Sequence, residues 1–304
     1  MININSESEP LDLNGEFRDF KSRMNAGFIL LDKHPGPTSH QLSAWARDLL
    51  GVEKLAHGGT LDPFASGVLP LLLGKSMKLT PLILKHDKTY IASLKLSSKT
   101  TLESLEKSVK TLKGKIYNVP PEISAVKIQV RTRTIRELEI LDFDGENLLI
   151  KMDCEAGTYV RTFARDLGLM IDKRVTLKEL RRTKSGSFSE EKCISMAQLS
   201  DALWKYKELG DDSAMLKILI PIEELVKKYP RIIVKSSAHD SLKNGATIMH
   251  PAVMHISPNI IKGEKVVIQS KEGELLAIAE AKLNSTTITV KEKGAIAQPK
   301  HVFI

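Results

Sequence analysis

Apolar residues recur along most of this chain at two spacings, one in two or one in three to four, and the spacing changes at turn residues. Residues 27–32 (Gly-Phe-Ile-Leu-Leu-Asp) predict a short strand. Lys33-His34-Pro35-Gly36-Pro37-Thr38 ends it with turn chemistry. Ser39 is placed to cap a helix with Leu42, Trp45, Ala46, Leu49 and Leu50 on one face and Gly51 at its end. Residues 68–73, closed by Gly74, have the length of a buried strand, although an apolar run this short leaves a helix open. A further strand is expected over 90–96. Thr100 with Glu103 predicts a capping box for a helix bearing Leu102, Leu105, Val109 and Leu112, stopped by Gly114. Leu148, Ile150, Met152 and Cys154 alternate with polar neighbours, the pattern of a half-buried strand. After Ala156-Gly157-Thr158-Tyr159 comes a helix carrying Phe163, Leu167 and Met170, and helical spacing returns over about 196–209 and 212–228. Strands interleaved with helices in this way predict an α+β domain.

The texture changes at Pro230. Short β-rich pieces follow at 232–234, 265–268, 275–278 and 286–290, separated by Gly245, Gly263, Gly273 and Gly294, which predicts a small β-barrel. Residues 1–24 show no clear period and are expected to be an extension. The expected domains are therefore 1–24, 25–229 and 230–304.

Composition narrows the class. An apolar share of 42% and a mean hydropathy of −0.14 describe an ordinary water-facing chain, and no apolar run reaches the roughly 20 residues that span a bilayer. No membrane association is expected. The opening residues lack the basic and apolar regions of a signal peptide, and Cys154 and Cys193 match no metal-ligand spacing. Both observations point to a reducing, cytoplasmic setting. The net charge of +8 and pI near 9.2 favour a polyanionic partner.

Candidate chemistry centres on His57-Gly58-Gly59-Thr60-Leu61-Asp62-Pro63. A residue before proline is pushed toward extended backbone, so Asp62 is held by local geometry, and the two glycines admit another backbone or a ligand closely. Asp62 is then either a turn-capping acid or a catalytic carboxylate. Arg161 opens a helix, where the macrodipole disfavours a cation. It either points to solvent or meets a carboxylate, for which its planar fork is suited. Tyr90, beside Lys85-His86-Asp87-Lys88-Thr89, is either a core tyrosine or a platform on which a base stacks. His57 either contacts RNA or closes a turn. Two basic groups, Arg131 with Arg133 and Arg136, and Arg181 with Arg182 and Lys184, are either solvated faces or phosphate grips.

Taken in order, Lys33 to Ser39, His57 to Pro70, Lys88-Thr89-Tyr90, and Gly157-Thr158-Tyr159-Val160-Arg161 with Asp166-Leu167-Gly168 resemble the successive motifs of TruB-type pseudouridine synthases. Val119-Pro120-Pro121-Glu122-Ile123-Ser124-Ala125-Val126-Lys127 and Leu180-Arg181-Arg182-Thr183-Lys184-Ser185-Gly186 resemble two further signatures of that family. The β-rich end looks like a PUA domain, with Asn244-Gly245-Ala246 and Pro251 in the expected order, and residues 1–24 would pack on it. The wording of the Asp62 motif and the compact stretch up to Arg136 are closest to the archaeal dyskerin-like branch, the catalytic subunit of box H/ACA ribonucleoproteins. Four positions depart from the family pattern: His34, Ala56, Ala252 and Ala279. The last two put the RNA grip of the small domain in doubt.

The resemblance implies a mixed, mainly antiparallel sheet flanked by helices, joined to a small PUA barrel. It implies isomerisation of uridine to pseudouridine in RNA, with the target base swung out of its stack. Asp62 would be the essential carboxylate, as nucleophile or as base toward the sugar. Arg161 would keep it charged, and Tyr90 would stack on the flipped base. His57, Thr60, Lys33, Lys127, Leu180, Arg181 and Arg182 would bind substrate RNA, with Leu180 lining the base pocket. No metal or organic cofactor is implied. The implied partners are tRNA, an H/ACA guide RNA and small H/ACA ribonucleoprotein subunits. Competing readings are a stand-alone tRNA enzyme, a hydrolytic glycosylase and a non-catalytic RNA-binding scaffold. A glycosylase usually needs paired carboxylates, and only Asp62 sits in a suitable loop.

Overall fold

A continuous apolar run can be satisfied only between two neighbours, and Ser66–Leu73 shows this: every residue after Ser66 is buried. In the computed structural model, which describes residues 1–5, 9–13, 15–120, 129–290 and 293–304, that strand lies in the middle of a mixed sheet. Contacts divide the chain into two compact units, residues 29–72 with 79–210, and residues 1–28 with 73–78 and 211–304.

In the unit holding Asp62, the sheet runs from Gly27–Lys33 through Ser66–Leu73, Val175–Ser185, Lys88–Leu96, Asn147–Cys154 and Arg131–Phe143 to Gly114–Asn118. Ser66–Leu73 and Val175–Ser185 pair in parallel, with Ser66 beside Arg181 and Gly67 beside Arg182. Lys88–Leu96 is antiparallel to both of its neighbours. The Asn147–Cys154 strand has the expected alternation, with Leu148, Ile150, Met152 and Cys154 inward. Those side chains meet Phe163, Ala164 and Leu167 from helix Val160–Met170, and Leu105 and Val109 from helix Leu102–Leu112, in one core.

Several expectations change at element ends. Thr38, not Ser39, caps the Ser39–Leu50 helix, in a capping box with Gln41, while Gly51 closes it in left-handed geometry as expected. Trp45 lies off the buried face, 50% exposed, because Leu42, Ala46 and Leu50 already fill the inward stripe. Thr101 rather than Thr100 caps the next helix, and Leu102 sits exposed in its first turn. Met170 is exposed at the end of its helix.

The second unit carries, among the described residues, a seven-stranded sheet in the order Ile2–Asn3, Val253–Ile256, Arg231–Val234, Lys265–Gln269, Leu275–Ala281, Ala295–Val302, Ile248–Met249. Its N-terminal residues add an edge: Ile2 pairs with Ile256 and Asn3 with His255. Glu223, fully buried, takes three hydrogen bonds of 2.7–3.0 Å from the Arg18 guanidinium and a fourth from the Leu275 amide. A buried carboxylate with a fork-shaped partner and a spare amide is well compensated. The helix expected over 212–228 stops at Ile218, because Pro221 lacks an amide donor and drives Ile220 into extended backbone. Residues 286–290 are helical, not a strand: Ser285 and Ile288 are the buried pair, a spacing of three, and this packing overrides the β-branched composition. Among the described residues, no helix is long and apolar enough to cross a membrane.

Candidate active site

The loop between strands Leu55–His57 and Ser66–Leu73 carries Asp62, and its backbone is held by side chains from three distant segments. Ser39 accepts from the Leu61 amide at 2.9 Å and donates to the Leu61 carbonyl at 3.2 Å. Lys33 donates to the carbonyls of Pro63 and Ala65, 3.0 and 2.8 Å away, and to that of His34. Arg182 donates to Gly59 and Thr60 carbonyls upstream, and through Nε to Val68 at 2.8 Å. The Ala65 amide closes back onto the Asp62 carbonyl. Carbonyls on both sides of Asp62 are thus pinned, which holds the loop that presents its carboxylate in one geometry.

Gly67 explains how Arg182 comes so close. Its φ is +102°, and a Cβ there would run into the backbone of Arg182. Gly58 packs flat on Ile83 and Pro70, again without room for a side chain.

Arg161 reaches across to this loop. Its Nη2 lies 3.0 Å from the Asp62 carboxylate, and both side chains are 31% exposed. The half-open pair leaves the acid accessible to a substrate while its charge is matched. Asn118 sets the helix that presents Arg161, accepting from the Tyr159 amide at 3.0 Å, and Thr162 donates to Val119 from the same turn.

Tyr90 is half-buried in strand Lys88–Leu96, packed against the core that includes Leu61, Ala65 and Leu180. Arg182 is its cross-strand neighbour, and burial raises the pKa of its hydroxyl against the lowering pull of that cation. Leu180 is buried beside it, paired with Ala92. His57 ends its strand with Nδ1 buried and without a hydrogen-bond partner among the described residues. Burial lowers its pKa, with His40 and Arg182 adding to the effect. Thr60 is exposed at the loop surface.

Two of the residues expected to bind RNA do something else. Lys33 is 0% exposed and Arg182 1% exposed, and their donors are taken up by carbonyls, so neither can grip a phosphate. Both build the Asp62 loop instead. Arg181 is half-buried, its fork on Asp32 at 3.0 Å and its Nε on Glu190 at 2.6 Å. Arg136 pairs with Asp87 at 2.7 Å, and Arg133 lies 3.7 Å from Glu155, whereas Arg131 and Lys184 are exposed. Lys127 lies outside the described residues. Sequence reasoning missed Asn118 and the bridging role of Ser39, which had been read as a helix cap. It also missed Lys88, a buried ammonium lowered by desolvation to about 8 that donates to the carbonyls of Ile83 and Leu84.

Residues 47–160 match the N-terminal domain of TruB family pseudouridylate synthases, and residues 161–227 match the tRNA pseudouridylate synthase B C-terminal domain. Over 94% of its length the chain is 38% identical to a probable tRNA pseudouridine synthase B of Pyrobaculum calidifontis, covering 86% of that protein. The chain belongs to the TruB family. A relative with the same description from Methanothermobacter thermautotrophicus is 36% identical over 94% of the chain and 89% of its own length. This TruB-family protein is therefore a pseudouridine synthase, an isomerase. Its residues 230–303 are a PUA domain. Among solved structures it resembles an H/ACA RNP bound to a substrate RNA containing 2′-deoxyuridine, with a TM-score of 0.89 at 32% identity, covering 100% of this chain and 94% of that one. A Cbf5-Nop10-Gar1 complex matches with the same TM-score at 34% identity, over 100% of this chain and 93% of the other. These likenesses set it within the archaeal, dyskerin-like branch of the family.

Proposed function

We propose that this synthase is the catalytic subunit of a guide-RNA particle of the box H/ACA kind, converting uridine to pseudouridine in RNA with Asp62 as the essential carboxylate. The observation that carries the residue assignment is the 3.0 Å contact between Arg161 and an Asp62 whose loop is pinned on both sides. In the reaction, the bond from N1 to the ribose breaks, the uracil turns, and C5 takes its place on C1′. The C5 proton is lost and N1 gains one, so the overall change is an isomerisation. Asp62 delivers its charge at the ribosyl centre, and Arg161 holds the carboxylate oriented and charge-matched. Tyr90 stacks on the extruded base, with Leu180 forming the apolar wall beneath it. His57 and Thr60 support the displaced RNA at the loop rim, and Arg181, held by Asp32 and Glu190, adds a cation beside Leu180 for the RNA.

In the same reading the chain divides functionally into an extension (1–24), a catalytic domain (25–229) and an RNA-binding PUA domain (230–304), working in the cytoplasm. The solved relatives hold Nop10 and Gar1 as well as substrate RNA, which supports small protein partners of that kind here. The curated relatives are described as tRNA enzymes, which favours the tRNA T-loop uridine as a second substrate. Reconstitution separates the two: the protein is assayed on tRNA alone, and on a target strand with and without an H/ACA guide RNA and the small subunits. Turnover of the target strand only with the guide supports the particle. Turnover of tRNA alone, with no gain from guide and subunits, makes it a stand-alone enzyme.

A further inference from the structure

Two large apolar side chains stand open to solvent at the Asp62 loop and at the helix end beside it: Phe64 is 38% exposed and Leu84 47%. Single exposed hydrophobics are common on protein surfaces. This pair differs in how firmly it is presented. Both peptide groups around Phe64 are bonded. The Pro63 carbonyl accepts from Lys33 at 3.0 Å and from the Gly36 amide at 2.9 Å, and the Ala65 amide donates to the Asp62 carbonyl at 3.0 Å. Leu84, at the end of helix Thr80–Leu84, is fixed in the same way. The Ile83 carbonyl accepts from Lys88 and from the His86 amide, the Leu84 carbonyl accepts from Lys88 at 3.2 Å, and the Lys85 amide donates to Leu82.

Each side chain therefore rests on backbone held by a buried ammonium. Lys33 directs its donors at His34, Pro63 and Ala65, and Lys88 at Ile83, Leu84 and His86. Taking an ammonium out of water is costly unless its donors are used, and here they are used to stiffen these two stretches. The same contacts place the pair beside the chemistry. Phe64 follows Asp62 by two residues. Leu84 lies against the other arm of that loop: Gly58 packs flat on Ile83, and a Leu84 methyl is 3.8 Å from the point where a Gly59 side chain would begin. Lys88, which holds Leu84, stands two residues before Tyr90 on the same strand.

A uridine that leaves its stack uncovers the flat apolar faces of the bases on either side of it. Neither Phe64 nor Leu84 has a donor for a phosphate, but an aromatic ring or an aliphatic wedge can cover such a face. We propose that Phe64 and Leu84 bind the substrate RNA by covering the base faces left open beside the extruded uridine, Phe64 by stacking and Leu84 by apolar contact. This rests on Asp62 acting at an extruded nucleotide, as assigned above.

The test measures the affinity of the full chain for a target RNA strand and, separately, for a blunt duplex RNA of the same length. Phe64→Ala is expected to bind the target strand about tenfold more weakly and Leu84→Ala about fivefold. Neither change should alter duplex affinity, whose bases stay stacked, or the salt slope, since an apolar contact releases no counterions. At saturating RNA, kcat is expected to stay within about threefold, because the lost contact is made before and during the reaction alike. Phe64→Tyr, which keeps the ring, is expected to restore affinity. Parental affinity in both alanine variants overturns the proposal, as does an equal loss on the duplex, and Phe64→Tyr binding as weakly as Phe64→Ala overturns the stacking. Should an alanine variant unfold early, Phe64→Leu decides: it keeps bulk without the ring and is expected to bind about threefold more weakly, and parental affinity overturns the stacking. These affinities are read without turnover. A failure of the Asp62 assignment, seen as turnover by Asp62→Asn, is therefore distinct from a failure of this proposal, seen as unchanged binding.

Discussion

Asp62 owes its place to neighbours that carry no chemistry of their own. Pro63 sets its backbone, Ser39 fixes Leu61 before it, and Lys33 holds Pro63 and Ala65 after it. Replacing Asp62 by Asn preserves these contacts. Asp62→Asn is therefore expected to abolish turnover while RNA affinity stays within about threefold, a change below roughly 1 kcal/mol. Parallel loss of binding and turnover, measured by filter binding beside the rate assay, would assign the residue to structure. His57 gives a prediction of a different kind. Its pKa is depressed in the fold, chiefly by burial, from an ordinary value of 6.5. As pH falls, the unfolded chain therefore takes the proton first. The residue's contribution to stability is intact above 6.5 and is lost as pH falls through the lower folded value. Urea unfolding at about pH 7.5 and pH 5 should show a larger loss for the parent than for His57→Gln; equal losses would contradict it. The pairing of Asp62 with Arg161 was legible in the sequence, as an acid held by its proline and a fork suited to a carboxylate. The roles of Lys33 and Arg182 were not, because a lysine or arginine in a string looks like a surface cation, and only the fold shows it buried.

Elements whose burial has a single period were the easiest to read. Asn147–Cys154 was legible because one face is dry and the other wet, whereas Ser66–Leu73, dry on both faces, has no period to tell a strand from a helix. Residues 286–290 were misread because β-branched composition stood in for packing, and the stretch after 212 because Pro221 was passed over as a helix breaker. The critical joint between elements is the parallel contact of Gly67 with Arg182. Gly67→Ala must place a Cβ at φ +102° against that backbone, so it is expected to cost at least about 2 kcal/mol. Urea unfolding measures it, and the strand that carries Arg182 should shift with it, lowering kcat in the same variant. A stable, fully active Gly67→Ala protein would show that the joint is slack.

For the molecule as a whole, the excess of eight positive charges is the term that binds any RNA, and the PUA domain is expected to supply part of it. Lys243 is exposed, next to the Asn244-Gly245-Ala246 turn. Lys243→Gln is predicted to weaken RNA binding uniformly and to reduce the salt slope by about 0.7–0.9. An unchanged slope would place the RNA on another face of that domain.

The most direct measurement is tritium release from RNA carrying uridine labelled at C5, run on the parent protein and on Asp62→Asn with free uracil assayed alongside. Release from the parent without free uracil, and none from Asp62→Asn, is the predicted result. Free uracil from the parent would mean hydrolysis of the glycosidic bond, and release that survives in Asp62→Asn would mean that the clamped carboxylate is not what drives the isomerisation.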